Sequence, residues 1–159
     1  MSAGAPHSRF RIRVRVIARA LRDRMARRAP PAAPRRILIA HHLLLGDTLM
    51  LSALVAKLRA NHPDAELVMT VPRAVAPLYA ARPWGLRVLP WDTRDVPGSL
   101  FDEAPFDLAF VPGDTRHGWL APAMRARWIV AFARARPLSK NCPLHRPVPY
   151  PPEPGSWGA

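Results

Sequence analysis

Five short apolar runs, residues 36–40, 66–71, 86–90, 107–111 and 128–132, recur between segments with helical spacing or turn residues, and this alternation limits the fold more than any other feature of the chain. Runs this short and this apolar suit strands buried on both faces. The intervening segments predict helices over 47–61, stopping before His62-Pro63, over 72–79, with Pro72 in the first turn, and over 118–126. Strands separated by helices imply an α/β fold, with a parallel sheet, helices on both faces and right-handed crossovers.

A chain of 159 residues has room for one such domain. Its formal net charge of +13 is unevenly spread: residues 1–36 hold eleven arginines against one acid, Asp23, a local balance of +10 that leaves the other 123 residues at +3. This describes a nearly neutral body with a basic arm, and argues against a nucleic-acid face spread over the body. Cys142 is the single cysteine, which rules out an intrachain disulfide and a four-cysteine zinc site and makes a reducing cytoplasm the expected compartment. Residues 37–56 have the length of a membrane span, but His41, His42, Gly46 and Asp47 in their middle would be costly in hydrocarbon. Arginines interrupt every N-terminal apolar run that would serve as a secretory signal.

Three regions follow from composition. Residues 1–34 form a basic arm and proline-rich linker. Within them "FRIRVRVIARALRDRM" alternates at Phe10, Ile12, Val14 and Val16 as a strand would, while Phe10, Val14, Ile17, Leu21 and Met25 keep the longer helical stripe; the expectation is a basic amphipathic helix, ended by "APPAAPRR". Residues 35–137 are the α/β domain. Residues 138–159, together with Pro137, hold seven of the twenty prolines without apolar periodicity, and predict a linker, tail or extended strap outside the core.

In an open parallel sheet, ligands sit at the carboxyl ends of the strands, so the turns "HHLLLGDT", "TVPRAV" and "VPGDTRHGW" are the first candidates. They bring Asp47, Thr48, Arg73, Asp114, Thr115, Arg116 and His117 to one rim, a mixed-charge set suited to a hydroxyl-rich, partly anionic ligand. Asp47 has a structural role open to it, capping and charge complementation at a helix start, and a chemical one, accepting a proton from a sugar hydroxyl. Arg73 and Arg116 have the geometry to grip a carboxylate or phosphate, though loop arginines are commonly just solvated. His41 and His42, adjacent on a strand, point to opposite faces and make a poor metal pair; packing or surface roles are expected, and no metal site is assigned. Trp84, Trp91, Trp119 and Trp128 are expected to pack. The chain lacks G-x-G-x-x-G after its first strand, G-x-x-x-x-G-K-[ST], Asp-x-Asp and G-x-S-x-G, which argues against dinucleotide, nucleotide-triphosphatase, metal-dependent sugar-nucleotide and serine-hydrolase sites of those types.

Over residues 35–137 the chain resembles the N-terminal half of a family 9 glycosyltransferase, the group of the lipopolysaccharide heptosyltransferases. The stretches that carry the resemblance are "RILIAHHLLLGDTLMLSALVAKLRANHPDAEL", with its Gly-Asp turn and His-Pro-Asp-Ala segment, and "FDLAFVPGDTRHGWLAPAMRARWIVAF". The resemblance implies a Rossmann-like N-terminal domain of a GT-B enzyme that binds the acceptor, a second domain that binds the nucleotide-sugar co-substrate, inverting transfer without an obligatory metal or cofactor, and a role in lipopolysaccharide core biosynthesis. It implies Asp47 as the base that deprotonates the acceptor hydroxyl, and Gly46, Thr48, Arg73, Asp114, Arg116 and His117 as acceptor-binding residues. The acceptor would be lipid-linked or an oligosaccharide, and the protein cytoplasmic, peripheral to the inner membrane.

The sequence departs from the family pattern in two ways. Family members are about twice as long, so this chain is expected to be a fragment, a truncated product or half of a split enzyme, inactive alone. The arginine-rich arm is an addition. Residues 9–28 suit an anionic membrane surface, a solvated extension being the alternative and nucleic acid ranking last. The competing reading of the whole is a non-catalytic domain whose arm docks on anionic membrane or nucleic acid.

Overall fold

The computed structural model describes residues 14, 17–18, 21–22, 29–42, 44–92, 100, 103, 105–113, 118–133, 141 and 143–149. The strands are β1 (Arg36–Ile39), β2 (Glu66–Val71), β3 (Arg87–Pro90), β4 (Leu108–Val111), β5 (Trp128–Phe132) and β6 (Arg146–Val148), and the α-helices among the described residues with defined bounds are α1 (Leu45–Asn61) and α2 (Leu120–Ala123). All six strands are parallel, in the order β3-β2-β1-β4-β5-β6. Doubly wound Rossmann-type sheets share that order.

Alternation along the strands divides the core between the two faces. Ile37 and Ile39 of β1 join Leu67, Met69 and Val71 of β2 beneath Val55 and Leu58 of α1, with Val75, Tyr79 and Leu86 closing that side. Leu38 and Ala40 face the other way, with Val68, Ala109, Val111, Ile129 and Ala131, against Leu120 and Ala121 of α2 and against Trp91 and Phe106. The apolar runs of β1 and β2 are continuous because both sets of their side chains are buried, whereas β4 and β5 bury one set and leave the other partly covered.

The elements depart from expectation where local chemistry intervenes. Residues 72–79 form a turn and a 3₁₀ segment (Ala76–Tyr79) rather than an α-helix, since Pro77 has no N–H to donate. The helix expected over 118–126 shrinks to α2; Arg125 turns left-handed at φ 62 and the Ala126 N–H reaches back to the Ala121 carbonyl at 3.1 Å, closing the helix. Helix α1 is amphipathic only in its second half: its first turns leave Leu45, Leu49 and Met50 exposed beside Leu44. The tryptophans also divide. Trp91 is buried, Trp119 and Trp128 are half-buried, and Trp84 is exposed.

The proline-rich segment beyond residue 137, expected as a linker, tail or strap, supplies β6 at the sheet edge, where Pro147 is tolerated because an edge strand needs bonds on one side only. His145 donates its N–H to the Ile129 carbonyl at 3.0 Å, its ring Nδ1 accepts the Ile129 N–H at 3.2 Å, and Leu144 packs on the core. An ionic network ties the amino ends of the strands. Arg36 pairs with Glu66 at 2.6 Å and lies 4.6 Å from the Phe106 ring centroid; Arg87 pairs with Glu66 at 2.8 Å and Glu103 at 2.7 Å. The Asp107 carboxylate accepts the Arg35 and Arg36 N–H groups. Among the described residues no helix is long and apolar enough to cross a membrane.

Candidate functional site

The crossover from β1 leads to β2 on one side of it, while β4, its neighbour on the other side, leads away to β5. In open parallel sheets ligands bind where the strand order reverses in this way, which makes the carboxyl ends of β1 and β4 the candidate site. On the β4 side Gly113 takes φ 82, a left-handed conformation that glycine adopts without strain. The expected site residues Asp114, Arg116 and His117, with Thr115, lie outside the described residues.

On the β1 side a single hydroxyl sets the geometry. Thr70 of β2 is fully buried; its Oγ1 accepts the His41 N–H at 3.0 Å and donates to the His41 carbonyl at 3.0 Å. The chain is thus clipped to β2 where it leaves β1, while the Ala40 N–H remains bonded to the Phe110 carbonyl at 2.8 Å. Four residues later α1 begins, two positions earlier than the sequence predicts, with Leu44 at the N-cap. Asp47 is consequently in the first helical turn rather than at the cap. It is exposed, and its charge complements the helix dipole there.

Its neighbours face different ways. A Cβ placed on Gly46 would meet nothing within 4 Å among the described residues, so packing does not explain a glycine where alanine would favour the helix by about 1 kcal/mol. Thr48 is turned inward: its hydroxyl donates to the Leu44 carbonyl at 2.8 Å, and its own carbonyl accepts the Tyr79 hydroxyl at 3.2 Å. Burial raises the Tyr79 pKa, so the phenol remains a donor across the neutral range. Arg73 sits exposed after β2, its Nε 3.4 Å from Asp92 Oδ2.

Asp92, with Trp91 and His42, was not among the residues the sequence singled out as site residues. Trp91 extends the β2–β3 ladder through its N–H to the Val71 carbonyl at 2.8 Å. Its ring meets His42 edge-on at 5.1 Å and Trp119 at 5.9 Å. Asp92 Oδ1 lies 3.8 Å from His42 Nε2, so one carboxylate faces both His42 and Arg73. The rule that pointed to the other turns, the carboxyl end of a parallel strand, would have found "WD" after β3 as well. Among the described residues no group of three or more His, Cys, Asp or Glu is placed to hold a metal ion.

This rim offers an exposed carboxylate, an exposed guanidinium engaged with a second carboxylate, and an apolar shoulder of Leu44, Leu45, Leu49 and Met50, from 51% to 81% exposed. It can accept a proton, compete for an anion and receive an apolar group. Comparison of the chain with family models, with curated proteins and with solved structures found no match.

Proposed function

We propose that this domain is the acceptor-binding half of an inverting glycosyltransferase of the GT-B, heptosyltransferase type, with Asp47 as the general base. The observation that carries the reading is the exposed Asp47 carboxylate in the first turn of the helix that follows β1, next to a Gly46 whose Cβ position is open among the described residues, at the reversal of strand order. The resemblance of residues 35–137 to family 9 adds to it.

In the proposed reaction the acceptor hydroxyl oxygen attacks the anomeric carbon of a nucleotide-activated sugar and Asp47 takes its proton. The carbon–oxygen bond to the nucleotide diphosphate breaks with its electron pair leaving on the diphosphate, and the configuration inverts. Arg73 and Arg116 serve the acceptor's anionic groups, for which Arg73 must exchange its contact with Asp92. The apolar shoulder favours a lipid-linked acceptor over a free oligosaccharide. Donor binding belongs to a second Rossmann-like domain.

The test uses a nucleotide-heptose and a lipid A core acceptor. Purified 1–159 should transfer no sugar alone, and should do so when a complementary donor-binding domain is supplied. In that pair Asp47→Asn should lower the rate about 10²- to 10⁴-fold, as loss of a general base does, with unchanged folding. Full activity of the variant would leave Asp47 as a helix-start charge, and turnover by the chain alone would overturn the half-site reading.

A further inference from the structure

In the arm, Val14, Ile17, Ala18, Leu21 and Arg22 are helical, as the stripe rather than the alternation predicts. Val14, Ile17 and Leu21 are three and then four residues apart, which puts them on one face of a helix. That face is exposed: they are 49%, 59% and 52% accessible to solvent. Residues 9–28 carry nine arginines and one acid, Asp23.

An apolar stripe left in water beside this much positive charge needs a partner that offers both anions and a place to bury carbon. The body is a poor one. Of its described acids, Glu66 and Glu103 are already paired with Arg36 and Arg87, Asp92 with Arg73, and Asp107 lies 3.8 Å from Arg127; Asp47 and Asp64 are exposed, but they are two carboxylates against nine arginines. Nucleic acid offers phosphates but no apolar surface for Val14, Ile17 and Leu21. A bilayer containing acidic phospholipid offers both, with phosphates at the level of the guanidinium groups and acyl chains just beneath.

We infer that residues 9–28 bind the surface of an anionic phospholipid bilayer through their arginines, with the helical face of Val14, Ile17 and Leu21 inserted in the interface. The inference is independent of the catalytic reading. It needs only the arm's charge and its exposed apolar face.

The experiment is co-sedimentation of the full chain with vesicles of phosphatidylcholine alone, or with one quarter phosphatidylglycerol, at low and high salt. Duplex DNA and single-stranded RNA are titrated in parallel. One variant carries Arg15→Gln, Arg19→Gln and Arg22→Gln; a second carries Ile17→Gln and Leu21→Gln. Near-ultraviolet circular dichroism checks that the body is intact in each. The wild type should bind only the anionic vesicles and be released by salt. Each basic residue near such a surface contributes about fivefold, so the arginine variant should bind on the order of 100-fold more weakly. The apolar variant should lose at least about tenfold. Equal binding to both vesicle types, or to neither, overturns the inference. Unchanged vesicle binding by the apolar variant reduces the arm to a charge-only binder and overturns insertion, while DNA or RNA binding without vesicle binding assigns the arm to nucleic acid.

Discussion

Replacing Thr70 with valine should loosen the turn that presents Asp47. The two side chains are nearly the same size, so no cavity opens, and the perturbation is loss of one hydroxyl that makes two 3.0 Å bonds to the His41 backbone. Both Thr70 and His41 are buried, and losing a partner from a buried polar group costs about 1–3 kcal/mol. Because the two bonds share one oxygen, about 2–4 kcal/mol in all is the reasonable sum. At about 2–4 °C per kcal/mol for a chain of this size, Tm should fall by about 5–15 °C. Thr70→Ser keeps the hydroxyl and removes one buried methyl, so it should cost only about 1 kcal/mol. Urea unfolding followed by tryptophan fluorescence measures both variants, and m should not change. A loss under about 0.5 kcal/mol in Thr70→Val, or an equal loss in Thr70→Ser, would refute the clip, since neither fits two bonds made by one buried oxygen.

Gly46→Ala should stabilise the fold by up to about 1 kcal/mol, because the new methyl meets open space on a helix; a drop in Tm would mean that the backbone there needs glycine. Tyr79→Phe should cost about 1 kcal/mol in urea unfolding through loss of the bond to the Thr48 carbonyl. Glu66 is held below the ordinary glutamate range mainly by its hydrogen bond to Arg36, and Glu103 mainly by its bond to Arg87. Folded-state values below the unfolded ones mean that their contribution is complete above the ordinary glutamate pKa of 4.5 and is lost as pH falls through the lowered values. The urea midpoint should therefore decline below about pH 4.5, and Glu103→Gln should be destabilised at neutral pH with a shallower acid decline; parallel pH profiles for wild type and variant would count against this.

The local pattern of residues was enough to read the α/β class, five of the six strands and the first long helix, because short runs buried on both faces need no alternation to be recognised and Gly, Pro and polar residues punctuate them. It was enough, too, to place Arg73 directly after β2, but not to place Asp47, which stands in the first turn of α1 because that helix begins earlier than expected. It could not yield β6: Arg146–Val148 carries no strand signal of its own, and becomes a strand because β5 presents an unpaired edge that a proline-containing segment can use. Nor could it yield the truncation of the expected helix at 118–126 by a left-handed Arg125, a choice made by packing. The Thr70 clip joins residues 29 positions apart, and the Trp91, His42, Asp92 and Arg73 cluster draws on three strand ends. Which strand ends become neighbours depends on strand order. The sequence by itself determined five of the six strands, the first helix and the basic arm through local periodicity and charge, whereas β6, the order of the sheet, and with it the partners of Asp92 and the inward turn of Thr48, came from tertiary packing, where contacts between distant residues are formed.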